Sequence, residues 1–185
     1  MIERRTLLSM FGVAAVTPLL SLADKPLGKV VTAKPGENRF PFTSAEQAKR
    51  TACKLTSNES GGACSIFEMS VFPHSGPSLH VHHREDEWYY VLSGEFIFKV
   101  GGMDYTLPQG ASIWAPHDIP HVWANTTTSE GKLILTCLPG GFEKFFEELG
   151  NVPADQLSLD KMKGIMAKYG MELLGPPLFS WAQQH

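Results

Sequence analysis

Between residues 56 and 140, apolar and polar side chains alternate in short runs, each closed by glycine or proline. Ser65 to Phe72 sets Ile66, Glu68 and Ser70 against Phe67, Met69 and Val71. A period of two places these sets on opposite faces of a half-buried strand. Glu87 to Leu92 is strand-like, Ser93-Gly94 turns it into Glu95 to Val100, and Gly101-Gly102 forms a second tight turn. Lys54 to Thr56, Tyr105 to Leu107, Ser112 to Ala115, Val122 to Ala124 and Lys132 to Leu138 supply the remaining strands. Many short strands with regular Gly/Pro punctuation, and no alternation with helices, predict an all-β sandwich or barrel.

The period changes after Pro139-Gly140-Gly141. Phe142, Phe145, Phe146 and Leu149 fall at i, i+3, i+4 and i+7, one face of a helix that Gly150 ends. A second helix is expected from Leu159 to Tyr169, with Leu159, Met162, Ile165, Met166 and Tyr169 on its apolar side and Gly170 as its stop. Both are expected to pack on the outside or the mouth of the barrel. The stretch from Gly175-Pro176-Pro177 onward shows no regular pattern. The segments are therefore 1–23, a leader; 24–55, an arm; 56–140, the barrel; and 141–185, a helical appendage.

The leader is unlike the rest of the chain. Arg4-Arg5 precede a nearly uncharged run, Leu7 to Leu22, and Ser21-Leu22-Ala23 offers small residues for cleavage before Asp24. This pattern predicts an export signal, of twin-arginine type, and a periplasmic or extracellular location. A leader kept as a structured arm would instead leave the chain cytoplasmic. The apolar run is interrupted by Pro18 and too short for a stable membrane span. A net charge of -3 and a pI near 6.1 give no support for a nucleic-acid partner. Three cysteines, Cys53, Cys64 and Cys137, do not make a disulfide framework. A single Cys53–Cys64 bridge across the Gly61-Gly62 turn is the one pairing that suggests itself.

The chemistry-bearing residues cluster in two stretches. His80 and His82, two apart on a strand, share a face. Glu87 follows past an Arg84-Glu85-Asp86 corner that reads as a solvated turn. Asp118-Ile119-Pro120 is a turn placed to aim His121. Three imidazoles and one carboxylate suit a divalent transition metal. By alternation, His83 and His117 fall outside.

The two stretches resemble the motifs of the cupin superfamily. The first reads His80-x-His82, four residues, Glu87, six residues, Gly94; the second reads Gly110, five residues, Pro116-x-Asp118, two residues, His121, three residues, Asn125. Two positions depart from the family pattern. His74 stands where the opening glycine is expected, with Gly76 nearby, and Asp118 replaces a glycine, a substitution that left-handed backbone tolerates. The resemblance implies a double-stranded β-helix, or jelly-roll barrel, with C-terminal helices. It also implies one divalent metal held by His80, His82, Glu87 and His121; Fe, Mn, Ni, Cu or Zn would fit these ligands, and metal loading before twin-arginine export would favour Fe or Mn. The run from Gly76 to Glu95 and the exit P-G-G-F-E-K-F-F are similar to small quercetin dioxygenase-like cupins.

That likeness implies dioxygenation of an enolisable, aromatic or apolar small molecule, with Glu87 and Tyr89 as catalytic candidates. A non-redox isomerase or decarboxylase of a small acid is the alternative, and an Arg- or Lys-lined pocket would favour it. A ligand-binding cupin without turnover is a third reading. Strand parity nominates Phe67, Met69, Val91, Phe96, Phe98, Trp123 and Asn125 for the pocket wall. Exposed sheet edges and the arm predict a homodimer.

Overall fold

A computed structural model describes residues 29–40 and 50–179. The leader, and with it the predicted signal, lies outside the described residues. Ten strands form two five-stranded antiparallel sheets. In chain order they are β1 (Thr51–Leu55), β2 (Ser65–Val71), β3 (Ser78–His82), β4 (Asp86–Ser93), β5 (Glu95–Val100), β6 (Met103–Pro108), β7 (Ser112–Ala115), β8 (His121–Asn125), β9 (Gly131–Leu138) and β10 (Met171–Pro177). One sheet has the order β1-β2-β9-β4-β7 and the other β10-β3-β8-β5-β6. This is the jelly-roll arrangement.

The alternation seen in the sequence sets the core. Leu133, Leu135 and Cys137 of β9 face inward, opposite Phe67 of β2 and beside Tyr89 and Val91 of β4. Phe96 and Phe98 close the core from the other sheet, both fully buried. Each such side chain contributes about 1.5–3 kcal/mol by leaving water. The Gly101-Gly102 turn has φ of 58° and 84°, as the hairpin from β5 to β6 requires. Gly76 permits a close approach: a Cβ there would sit 1.9 Å from the Trp123 carbonyl.

The sheets draw in one strand from each side of the 56–140 segment. β1 begins at Thr51, and residues 29–40 run beside it. Asn38 Oδ1 accepts the Cys53 N–H, and Arg39 N donates to the Cys53 carbonyl. β10 is the strand that local pattern does not reveal. Its Gly175, Pro176 and Pro177 read as breakers, but an edge strand needs only one side for pairing, so proline is tolerated there. Met171 pairs with His82 and Leu173 with His80.

Two helices, α1 (Glu143–Gly150) and α2 (Leu159–Lys168), connect β9 to β10 with a 3-10 turn (Ala154–Gln156) between them. Ser158 caps α2, its Oγ accepting the Lys161 N–H. The helices lie across the barrel mouth. Glu143, at the start of α1, anchors that position by accepting hydrogen bonds from Ser57, Ser65 and the Gly141 N–H. Glu148 of α1 receives Lys168 Nζ and the Tyr169 hydroxyl, both at 2.6 Å, and so ties the two helices together.

All three cysteines are free. The Cys53–Cys64 bridge does not form because the β1–β2 register sets Cys53 opposite Phe67, three residues beyond Cys64. Cys53 Sγ faces the Leu55 carbonyl instead. Among the described residues no helix is long and apolar enough to cross a membrane.

Candidate metal centre

β3 carries His80 and His82 on its inner face, and β8, the neighbouring strand, sets His121 opposite His80. Glu87 reaches the same point from β4 in the facing sheet. One ligand atom from each of these four side chains lies within 4.8 Å of every other. The rings of His80 and His121 are 4.5 Å apart, and those of His80 and His82 5.1 Å. All four side chains are buried.

The hydrogen bonds define which nitrogens face the centre. His80 Nδ1 lies 2.7 Å from the Ser78 carbonyl and His121 Nδ1 lies 3.1 Å from the Ile119 carbonyl. A carbonyl only accepts, so both Nδ1 atoms carry the proton and both Nε2 atoms turn inward as lone pairs. His121 Nε2, however, is 2.7 Å from Glu87 Oε2. A neutral imidazole cannot donate at both ends, so this contact needs either a second proton or a cation between the two atoms. His82 Nε2 stands 3.5 Å from Glu87 Oε1 and makes no hydrogen bond. A buried nitrogen without a partner is unfavourable. The donor set therefore fits one divalent transition metal: three imidazole nitrogens and a carboxylate converge, and His82 Nε2 has no partner of its own.

The electrostatics agree. Burial, reinforced by the neighbouring His121, pushes His80 down to about 4, so it stays neutral. Burial alone would raise the Glu87 carboxyl, but His82, His121 and His80 together hold it far below the usual carboxylate range. Burial opposes a proton on His121, yet the Glu87 hydrogen bond and charge raise its affinity for one. Burial and the adjacent Glu87 push the Tyr89 hydroxyl up, so it remains protonated. It donates to Glu87 Oε2 at 2.9 Å.

A cavity of about 540 Å³ opens from this cluster toward the helices. Of the side chains nominated by parity, Met69, Tyr89 and Trp123 line it. Phe67, Val91, Phe96 and Phe98 are packed in the core instead. Phe67 is separated from the cavity by Phe142 and Phe146, whose rings lie 6.3 and 5.0 Å from its own. Asn125 serves the backbone, with Nδ2 donating to the carbonyls of Val71, Phe72 and Ser129. It closes the far end of the barrel.

Much of the wall comes from elements that strand parity does not reach. Phe142, Phe145, Phe146 and Leu149 supply the α1 face, Met162 and Met166 the α2 face, and Met171 and Leu173 the β10 contribution. The i, i+3, i+4, i+7 stripe was the available signal, but a stripe does not say what it covers. No lysine or arginine among the described residues lines the cavity. His83 and His117 are outside, held by Asp118 and Asp86 respectively. Asp118 does adopt left-handed backbone, with φ of 60°. Glu85 departs from expectation: it is buried rather than solvated, its Oε2 3.6 Å from His82 Nδ1.

Residues 67–137 match the Cupin_2 family, a cupin domain. A search of curated proteins finds no match. KdgF from Halomonas sp. is similar in structure at 16% identity, covering 63% of this chain and 98% of that one with a TM-score of 0.51. A Thermotoga maritima protein described as a predicted oxalate decarboxylase matches at 24% identity over 48% of this chain and 78% of its own, with a TM-score of 0.46. An RmlC-like cupin from Shewanella frigidimarina matches at 22% identity over 51% and 78%, with a TM-score of 0.43. These likenesses concern the fold.

Proposed function

We propose, for a chain whose residues 67–137 match a cupin domain, a metal-dependent dioxygenase acting on an enolisable, apolar or aromatic small molecule. The observation that carries this reading is the junction of two environments. A three-histidine, one-glutamate cluster opens into a chamber walled by Phe, Leu, Met and Trp side chains, with no cationic residue among those described. A divalent ion held by His80, His82, Glu87 and His121 would supply a positive centre for a substrate oxygen and for O2 beside it.

The chain's own residues account for the rest. Glu87 is ionised, and its carboxylate takes the proton of the substrate's enolic hydroxyl at Oε1, since Oε2 already accepts from Tyr89. Tyr89 fixes the carboxylate through that hydrogen bond, and Trp123 and Phe142 flank the approach. The apolar lining lowers the local dielectric, which strengthens charge interactions at the centre. A small polyanionic acid would find no counter-charge on this wall, so the isomerase or decarboxylase reading has no support from the lining. The Phe side chains of α1 surround the chamber without filling it, which leaves room for a ligand.

The test loads metal-free protein with Fe, Mn, Ni, Cu or Zn in turn and measures O2 uptake against flavonols, diketones and phenolic acids. Substrate-dependent uptake is expected with a redox metal and not with Zn, and Glu87→Gln should abolish it. Turnover without O2 would shift the assignment to a non-redox enzyme. Tight ligand binding with no turnover would make the domain a binding protein.

A further inference from the structure

Two buried polar atoms beside the cluster face each other with no other partner. His82 Nδ1 and Glu85 Oε2 lie 3.6 Å apart, and neither makes a hydrogen bond. His82 is 1% exposed and Glu85 8%. The other two rings each set Nδ1 against a backbone carbonyl, of Ser78 and of Ile119. His82 has no such carbonyl at its Nδ1; what stands there is a carboxylate.

The corner that carries Glu85 is fixed on both sides. His83 N donates to the Gly170 carbonyl at 2.8 Å, and Asp118 N donates to the His82 carbonyl at 2.7 Å. The Arg84 side chain lies across Gly170, where a Cβ would meet it at 2.7 Å, and Arg84 Nη1 donates to the Lys168 carbonyl. On the other flank Asp86 accepts from the His117 N–H at 2.8 Å. These contacts hold the backbone so that Glu85 is buried where a surface turn would have left it in water. An unpaired buried carboxylate oxygen is unfavourable. An imidazole N–H at 3.6 Å, brought to hydrogen-bond distance by a small side-chain rotation, is the donor that satisfies it.

We propose that Glu85 is a positioning residue for the metal site. It accepts the Nδ1–H of His82, fixes that tautomer, and so presents the Nε2 lone pair to the centre. The three histidines are then unequal: two lean on neutral carbonyls and one on a carboxylate, which makes His82 the most electron-rich donor to the metal. The inference rests on the metal reading of the cluster.

The test uses the full chain loaded with Co(II) and follows the hyperfine-shifted, exchangeable ring N–H resonances by proton NMR. Wild type should show three. Glu85→Gln should move the His82 resonance alone and leave those of His80 and His121 in place. Glu85→Ala, with its fold checked by circular dichroism, should weaken Zn affinity by about 10- to 100-fold in chelator competition, and Glu85→Gln should restore part of it. Three unmoved resonances with wild-type affinity in both variants would overturn the role of Glu85 and leave the metal site standing. Absence of shifted resonances in wild type would overturn both.

Discussion

At the residue scale, the centre is built from side chains that need a cation to be satisfied. His121 has an acceptor at each ring nitrogen, and His82 has Nε2 aimed at Glu87 without a bond. Replacing His82 with Ala removes one of four ligands, and elemental analysis should find most of the bound metal gone. Tyr89→Phe tests a different role. It leaves the ligands in place but frees Glu87 Oε2 from its hydroxyl donor, so metal content should hold while turnover falls. Loss of metal in Tyr89→Phe would mean that the hydroxyl maintains the site rather than tuning it. The pairing of His80 with His82 was readable from strand parity, while Glu87 and His121 joined them through the resemblance to the cupin motifs. Glu85 was not readable, since burial of a turn residue depends on what folds over it, here the Arg84–Gly170 contact.

At the scale of elements, α1 is held by one carboxylate. Burial works against its charge, but donors from Ser57 and Ser65 outweigh that and keep the Glu143 carboxyl below its ordinary value of 4.5. A carboxyl depressed in the fold stabilises it fully above the unfolded value, and that contribution is lost as pH falls through the folded one. Urea denaturation of wild type should therefore show stability dropping below about pH 4.5 in part through this group. Glu143→Gln should be less stable at pH 7 and should lose less on acidification. An identical acid dependence in the two proteins would place the titration elsewhere. The strands of 65–138 were legible because each is bounded by turn residues, and β4 and β9 alternate cleanly. β10 was hidden, because Gly175-Pro176-Pro177 carries every local mark of a loop and only its partner β3 makes it a strand. The helices were legible as helices, while their seat over the mouth was not, since an apolar stripe fits any apolar surface.

At the scale of the molecule, the sheet edges are not treated alike: β1 and β7 bound one sheet, β10 and β6 the other. β1 is flanked by residues 37–39, whereas β6 and β7 leave Met103, Tyr105 and Trp114 exposed. A homodimer is the expected state, formed along these edges. Light scattering at micromolar concentration should report twice the chain mass, and Trp114→Lys should lower it. A monodisperse monomer in wild type would remove the dimer from the account.

The helical cover begins where β9 leaves one sheet and ends where β10 enters the other. A flap has one free end; this cover is spliced into the framework at both ends and pinned between them by Glu143 and Glu148. Fine adjustment of the chamber therefore falls to side-chain rotation of the Phe and Met residues that line it. Such adjustment is graded rather than on-off. Guests should be sorted by girth more than by length, and residence times should lengthen steeply as a rigid ring system widens.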